Sequence, residues 1–291
     1  MARMLDNFLK WLESDDVNGL HRDIFRAALF LKERGVEDGE CYHIMRKAAD
    51  HVSERQVPDR EINSAIRSAN LHMEGKLVLN HWPQPVQPFI AEVLSRGTIT
   101  RDHVRDWTRQ LPQDPVYWLR KLYKDGELVC AASDSTHWHT ADRDLVANIL
   151  SNHFLEYINP SPMSKPFGLT QENRQSAHCL DNVGPRTYLV IEFDRGTIEE
   201  HANILWFIGG YLPLFMMVYS GGKSMHGWYY VKDLPESTIK NTFTTAVELG
   251  ADPKMWSKCQ FTRLPCGRNN KTHKKQVVTF FDETKLGYRM T

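Results

Sequence analysis

The stretch Tyr188-Leu189-Val190-Ile191-Glu192-Phe193-Asp194 decides how the second half of the chain is interpreted. Its first four residues form an apolar, β-prone run, which predicts a buried strand. Side chains alternate along a strand, so Glu192 and Asp194 are expected to lie on the same face. Two carboxylates crowded on one face repel each other, which is costly unless a cation lies between them. The sequence therefore predicts a strand that helps to bind a metal ion.

The elements that follow this strand predict a ferredoxin-like core with the order β-α-β-β-α-β. The predicted elements after the strand at 188–194 are a helix over 197–208 capped by Thr197, strands at 214–219 and 225–231, a helix over 236–249, and strand material at 261–264 and 276–281. In that topology the first and third strands are neighbours in the sheet. His226, on the third strand, is therefore expected beside Glu192 and Asp194.

The turn before His226 is the second unusual stretch, Ser220-Gly221-Gly222-Lys223-Ser224-Met225-His226. A phosphate-binding P-loop needs a glycine where Met217 stands and a helix after the turn, so that interpretation is rejected. What remains is a tight turn that offers backbone N–H groups, a lysine and hydroxyls to an anion. His226 is interpreted as functional because of this turn and the two acids, and a purely structural histidine is the alternative.

The last stretch with candidate chemistry begins at Asp252, which follows a predicted helix end. Asp252 could bring a third carboxylate to the sheet, and an ordinary turn aspartate is the alternative. No acid occurs between Pro253 and Phe281, whereas the same span carries Lys254, Lys258, Arg263, Arg268, Lys271, Lys274 and Lys275. This segregation predicts a local basic surface suited to phosphates, and a solvated basic loop is the alternative.

The composition of the 291 residues limits the class of protein. The formal net charge is zero, so a case for nucleic acid can come only from local patches. No apolar run approaches the ~20 residues of a membrane span. The five cysteines are widely spaced, which indicates free thiols in a reducing cytosol. Cys259, Cys266 and His273 could form a zinc site only with a fourth ligand.

The first half of the chain predicts mainly helices. Helical periodicity appears over 1–17 and in three short helices over 20–70, and the proline-rich stretch 77–88 is predicted to be a linker. A helix over 89–111 with a cap at Thr100 follows. Mixed structure begins near Asp114, with a helix over 117–122, a strand over 128–132, a helix over 142–157 and a long loop over 159–184. The predicted divisions are a helical domain over 1–76, a linker and helix over 77–113, and a mixed domain over 114–291.

These motifs together resemble the archaeo-eukaryotic primase superfamily, particularly the bifunctional primase-polymerases of plasmids, phages and other mobile elements. The matching segments are Glu192-Phe193-Asp194, Ser224-Met225-His226, Asp252, and Arg263-Leu264-Pro265-Cys266-Gly267. The likeness covers roughly 115–285. It departs from the family in having glutamate where the first acid is more usually aspartate, and in the cysteine between Pro265 and Gly267. The N-terminal helices resemble a primase-associated helical domain, which usually lies C-terminal to the catalytic domain.

The resemblance implies an α+β protein whose catalytic domain, 114–291, is a template-directed DNA primase and polymerase. Glu192, Asp194 and Asp252 would hold two Mg²⁺ or Mn²⁺ ions. The phosphates of a nucleoside triphosphate would be contacted by His226, Ser220, Lys223, Ser224 and Arg263. Arg268 and Lys271 would follow the backbone of a single-stranded DNA template or its primer. A cytoplasmic setting is expected, with a separate helicase for unwinding, because no helicase ATPase motif follows.

A second hypothesis is a nucleic-acid-binding module without catalysis. Ferredoxin-like sheets also serve RNA-binding domains, which stack bases on aromatic side chains of the sheet. Phe193 and Trp228 are the candidates for such stacking. A third hypothesis is a catalytically inactive relative retained for replication initiation or defence.

Overall fold

The computed structural model describes residues 20–33, 35–52, 57–73 and 82–286, and the chain divides into two compact units, 1–81 and 82–291. The helix predicted over 1–17 lies outside the described residues. Within them, no helix is long and apolar enough to cross a membrane. The division at residue 81 places the helices of the predicted 77–113 segment in the second unit.

The first unit contains the three short helices that the sequence predicts. They are α1 (Leu20–Lys32), α2 (Asp38–Val52) and α3 (Asp59–Met73). Their apolar stripes meet in one core that includes Ala28, Cys41 and Ala69, each with no measurable exposure. The helical periodicity of the sequence over 20–70 is explained by this core, because a helix in a small bundle buries one stripe.

The second unit begins with three helices, α4 (Gln87–Ser95), α5 (Arg101–Arg109) and α6 (Pro115–Leu122). The prediction of one continuous helix over 89–111 is wrong, because the helix is interrupted between α4 and α5. The side-chain amide of Asn203 accepts from Ile99 N at 2.9 Å and donates to Ile99 O at 2.8 Å, which satisfies the backbone at the break. Thr100 caps α5 as predicted, since its hydroxyl accepts from His103 N.

An antiparallel sheet follows, formed by β1 (Leu128–Ala132), β2 (Trp138–Asp142), β3 (Tyr157–Ile158) and β9 (Thr262–Arg263) in the order β2-β1-β3-β9. The helix predicted over 142–157 is shorter, because α7 (Arg143–Leu150) ends well before Tyr157 pairs with Ala132 in the sheet. The predicted long loop over 159–184 contains only the two-residue strands β4 (Gly168–Leu169) and β5 (Gln175–Ser176).

The second antiparallel sheet carries most of the candidate site. Its elements are β6 (Tyr188–Ile191), α8 (Ile198–Ile208), β7 (Leu214–Tyr219), β8 (Met225–Tyr230), α9 (Glu236–Glu248) and β10 (Val277–Phe281), and its strand order is β10-β7-β8-β6. The first and third strands, β6 and β8, are neighbours as predicted. Both sheets pack into one continuous hydrophobic core, so the second unit is a mixed α+β domain with antiparallel sheets.

The ferredoxin-like prediction is wrong for the fourth strand. That topology places the last strand beside the first, whereas β10 pairs with β7 at the opposite edge of the sheet. The position beside β6 is taken by the segment after α9, which forms an isolated antiparallel bridge between Phe193 and Ala251. The chain then passes through a 3₁₀ turn (Pro253–Trp256) and contributes β9 to the other sheet before it reaches β10. Both sheets therefore supply residues to the region around Glu192.

Candidate active site

Glu192 and Asp194 leave the end of β6 with a buried aromatic residue between them. Phe193 is 2% exposed and stacks on His201, with ring centroids 5.1 Å apart. The side chain of Glu192 is partly exposed and Asp194 is exposed. The predicted alternation therefore holds at this point: the aromatic ring enters the core and the two acids do not.

Asp252 lies beside these acids through the backbone. Its N–H donates to Glu192 O at 2.9 Å, next to the bridge between Phe193 and Ala251. Its carboxylate accepts from Lys254 N at 3.0 Å and so caps the 3₁₀ turn that follows. The expected convergence of Asp252 with Glu192 is therefore present in the backbone, although the two residues are 60 positions apart in the sequence.

The surroundings of Glu192 disfavour the ionised form of its carboxyl group. Burial, together with the negative charges of Asp252 and Asp194, raises the pKa of Glu192 from 4.5 to about 7, and the cations of Arg263 and Lys254 oppose the shift. The two other predicted acids, Asp194 and Asp252, therefore both act electrostatically on the carboxyl group of Glu192. A cation bound beside Glu192 would stabilise the ionised form of this carboxyl group.

His226 connects Glu192 to the turn before β8 and to the other sheet. Its Nε2 lies 3.1 Å from Glu192 Oε2 and 3.0 Å from Ser224 Oγ, and its Nδ1 lies 2.8 Å from Thr262 Oγ1. Burial, with help from the charges of Arg263 and His201, lowers the pKa of His226 to about 3. The ring is therefore neutral near pH 7, and we assign the Thr262 hydroxyl as donor to Nδ1 and Nε2–H as donor toward Glu192.

The turn that precedes His226 is organised around a buried hydroxyl. Ser220 Oγ accepts from Gly222 N at 3.3 Å, from Ser224 N at 3.2 Å and from Ser224 Oγ at 3.1 Å. Gly221 has φ +72°, which a glycine adopts without strain. The turn leads into a strand, as expected, and Lys223 is exposed at its tip. Ser220 therefore shapes the turn, whereas Lys223 and the Ser224 hydroxyl are the groups that can reach a ligand.

Arg263 is held by an acid that the sequence analysis did not identify. Its guanidinium donates to Glu156 Oε1 and lies 4.7 Å from the ring centroid of Tyr157. The Glu156 side chain is 5% exposed and also accepts from Asn270 N at 3.2 Å. Arg263 is close enough to Glu192 and His226 to affect both pKa values, as stated above. The guanidinium therefore lies between a buried structural acid and the candidate site.

Arg268 and Lys271 lie on a basic hairpin, which we define as residues 268–275. An isolated bridge between Arg268 and Lys275 closes it, and Asn269 Oδ1 accepts from Lys271 N at 3.0 Å. Lys271 is exposed and Arg268 is partly exposed. Just before the hairpin, Cys266 has φ +62°, a left-handed conformation that favours glycine. The cysteine that interrupts Pro265 and Gly267 therefore occupies a position at which a glycine would be unstrained.

The donor set of the three acids suits a hard divalent cation, because carboxylate oxygens are the preferred ligands of Mg²⁺ and Mn²⁺. Their spacing does not yet match a coordination sphere: the described residues contain no group of three or more His, Cys, Asp or Glu side chains placed to hold a metal ion. Binding would therefore require the three carboxylates to come closer together than they lie in the structure. The structure does not support the zinc site considered for Cys259, Cys266 and His273, because these residues do not form a ligand group among the described residues. Cys259 Sγ lies 3.5 Å from His178 Nε2, whereas Cys266 Sγ contacts Gln113.

The base-stacking role considered for Phe193 and Trp228 is wrong. Phe193 is 2% exposed and Trp228 has no measurable exposure. Both rings belong to the hydrophobic core of the second unit, where Phe193 packs on His201 of α8 and Trp228 packs on Tyr188 and Phe215. Base stacking by a bound nucleic acid would therefore need other aromatic side chains.

The elevated pKa of Glu192 predicts a pH-dependent stability difference between the wild type and Glu192→Gln without metal. The folded protein binds this proton more tightly than the unfolded chain, so stability is lost as pH rises from about 4.5 to about 7. His226 has the opposite effect in both proteins, because its lowered pKa removes stability as pH falls below 6.5. The free energy of unfolding of Glu192→Gln should therefore increase relative to that of the wild type from pH 4.5 to pH 7, and the difference should reach roughly 3 kcal/mol.

Urea denaturation in a chelating buffer, followed by tryptophan fluorescence at several pH values, measures that difference. It should grow from pH 4.5 to pH 7 and remain constant above. A difference that does not change with pH would show that Glu192 ionises as an ordinary surface acid.

Comparisons of the chain with protein-family models, with curated proteins and with solved structures return no match. The functional interpretation therefore rests on the sequence motifs and on the geometry described above.

Proposed function

We propose that the protein is a template-directed DNA primase and polymerase of the archaeo-eukaryotic primase superfamily, with a fold of that family over 114–291. The observation that carries the proposal is the meeting of Asp252 with the distant pair Glu192 and Asp194, beside His226 and Arg263. The N-terminal helices are then a primase-associated helical domain. The proposed setting is the cytoplasm, where a separate helicase would open the duplex.

In this proposal, Glu192, Asp194 and Asp252 hold two Mg²⁺ or Mn²⁺ ions. The ions, when bound, supply activation of the attacking 3′-hydroxyl and neutralisation of the leaving pyrophosphate. Lys223 and the Ser224 hydroxyl bind the phosphates of the incoming nucleotide, while Ser220 keeps the turn in shape. Neutral His226, whose Nε2–H is directed toward Glu192 and lies beside the Ser224 hydroxyl, positions these two groups next to the bound phosphates.

Arg263 adds a positive charge where negative charge develops on the triphosphate. Glu156 keeps its guanidinium in place before the nucleotide binds, so little reorganisation is needed when the nucleotide arrives. Arg268 and Lys271 provide charge for the template or primer backbone on the neighbouring hairpin. Nucleoside triphosphates and single-stranded DNA are therefore the proposed partners.

The test is nucleotide incorporation on a single-stranded template with labelled nucleotides and Mn²⁺, with Asp194→Ala as the comparison. We expect product from the wild type and a loss of at least about a hundredfold in the variant. Asp194 is exposed, so its truncation should leave folding intact. Equal product from the two proteins would disprove the proposed site.

A second candidate function is a catalytically inactive module that binds single-stranded nucleic acid, in replication initiation or defence. The spacing of the acids favours it, because the described residues hold no group of ligands placed for a metal ion. In this case oligonucleotide binding would survive Glu192→Gln and would not require a divalent ion, and no incorporation would be seen with the wild type.

A further inference from the structure

Phe154 is an exposed aromatic side chain beside the basic hairpin. It lies on the loop between α7 and β3, and its exposure of 70% is the highest among the exposed large apolar side chains of the described residues. The guanidinium of Arg268 lies over the ring, 5.1 Å from its centroid. Because only one face of the ring is covered in this way, the other face is open to a planar group.

The basic hairpin is fixed in place next to this ring. Arg268 N donates to Leu155 O at 3.2 Å, immediately after Phe154. On its other side, Asn269 Nδ2 donates to Ser220 O at 2.9 Å and Thr272 Oγ1 donates to Gly221 O at 2.6 Å. The hairpin therefore connects the exposed ring to the turn that the proposed function assigns to nucleotide phosphates.

The charge of this surface is complementary to a polyanion. Lys271 and Lys274 are exposed on the hairpin, and the sequence from 254 to 280 contains no acid. Positive charge that follows a backbone, together with an aromatic ring that a base can cover, is the combination found in proteins that bind single strands. Bases within a duplex are stacked on each other and cannot cover such a ring.

We infer that Phe154 and the basic hairpin form a docking surface for single-stranded DNA. An unpaired base stacks on the open face of Phe154, and the adjoining phosphates lie on Arg268, Lys271 and Lys274. Phe154 precedes by two residues Glu156, which holds Arg263, so the docked strand leads to the nucleotide site. The inference rests on the proposed function only in taking this strand to be the template.

The experiment measures binding of the full chain to a fluorescent oligothymidine by anisotropy, without divalent ions or nucleotides. We expect Phe154→Ala to weaken binding about tenfold, Phe154→Trp to restore it, and Phe167→Ala to leave it within about twofold. Phe167 is the matched control because it is 54% exposed on a different loop. An oligomer of abasic sites should bind the wild type and Phe154→Ala equally weakly, since it has charge and no bases.

Unchanged affinity in Phe154→Ala would overturn the inference, and so would a loss of equal size with the abasic oligomer or with a duplex of the same length. The incorporation assay separates this result from failure of the proposed function. If binding depends on Phe154 but no nucleotide is incorporated, the polymerase proposal is disproved and the docking surface is supported. If incorporation depends on Asp194 but binding does not depend on Phe154, the docking surface is disproved and the polymerase proposal is supported.

Discussion

Asp252→Asn should reduce nucleotide incorporation by about a thousandfold, on the order of 4 kcal/mol, while leaving the folded protein at least as stable as the wild type. The asparagine oxygen can still accept from Lys254 N, so the cap of the 3₁₀ turn is kept. Among the charged residues that raise the pKa of Glu192, Asp252 has the largest effect. Its removal should therefore stabilise the metal-free protein by about 0.5–1 kcal/mol at neutral pH.

This pairing of lost activity with retained or increased stability distinguishes a functional acid from a structural one. Incorporation assays and urea denaturation on the same preparations give both quantities. Asp233→Asn is the control, because Asp233 is an exposed acid in the turn after β8 and should change neither. Loss of stability in Asp252→Asn with normal activity per folded molecule would identify Asp252 as an ordinary turn residue.

Glu156→Ala should destabilise the second unit by about 3–5 kcal/mol, because it leaves a partly buried guanidinium without its acid. The side chains of Glu156 and Arg263 are 5% and 20% exposed. The same carboxylate accepts from Asn270 N, so its loss also loosens the start of the basic hairpin. The free energy of unfolding from urea denaturation measures the effect.

The matched control is Glu92→Ala, which removes an exposed partner of Arg96 in an i, i+4 pair on α4. That change should cost only about 0.5 kcal/mol. Adding Arg263→Met to Glu156→Ala should recover at least about 1 kcal/mol, because the uncompensated cation is then gone. Costs that simply add in the double variant would show that the two side chains do not stabilise each other.

Periodicity in the sequence was sufficient to identify much of the second sheet. Leu214–Tyr219 matches a predicted strand, Thr197 caps α8 as expected, and Gly250 follows the end of α9 with φ +97°. These features depend on local preferences that each segment carries by itself: apolar runs, capping side chains and a glycine after a helix. The proximity of His226 to Glu192 followed from a single topological rule, that the first and third strands are neighbours.

Features that depend on long-range packing could not be read in this way. The position of β10 at the far edge is set by where the segment 251–264 runs, and no local pattern encodes that path. Glu156 lies 107 residues before Arg263, and Thr262, which bonds His226, is an ordinary strand residue in the sequence. No sequence pattern marked Glu156 as half of a buried ion pair, because it lies in the stretch 142–157 that was predicted to be a helix.

The segment after α9 that lies beside β6 holds Asp252 next to Glu192 by few backbone hydrogen bonds. A full ladder of paired residues would hold Asp252 firmly to Glu192, whereas here the two segments share one isolated bridge, to which the bond from Asp252 N to Glu192 O belongs. Releasing one such bond costs only about 1 kcal/mol. Asp252 could thus shift by small amounts without breaking the strand pairs of the sheet, so the divalent cation of the proposed function would draw the carboxyl groups together at little cost in folding free energy.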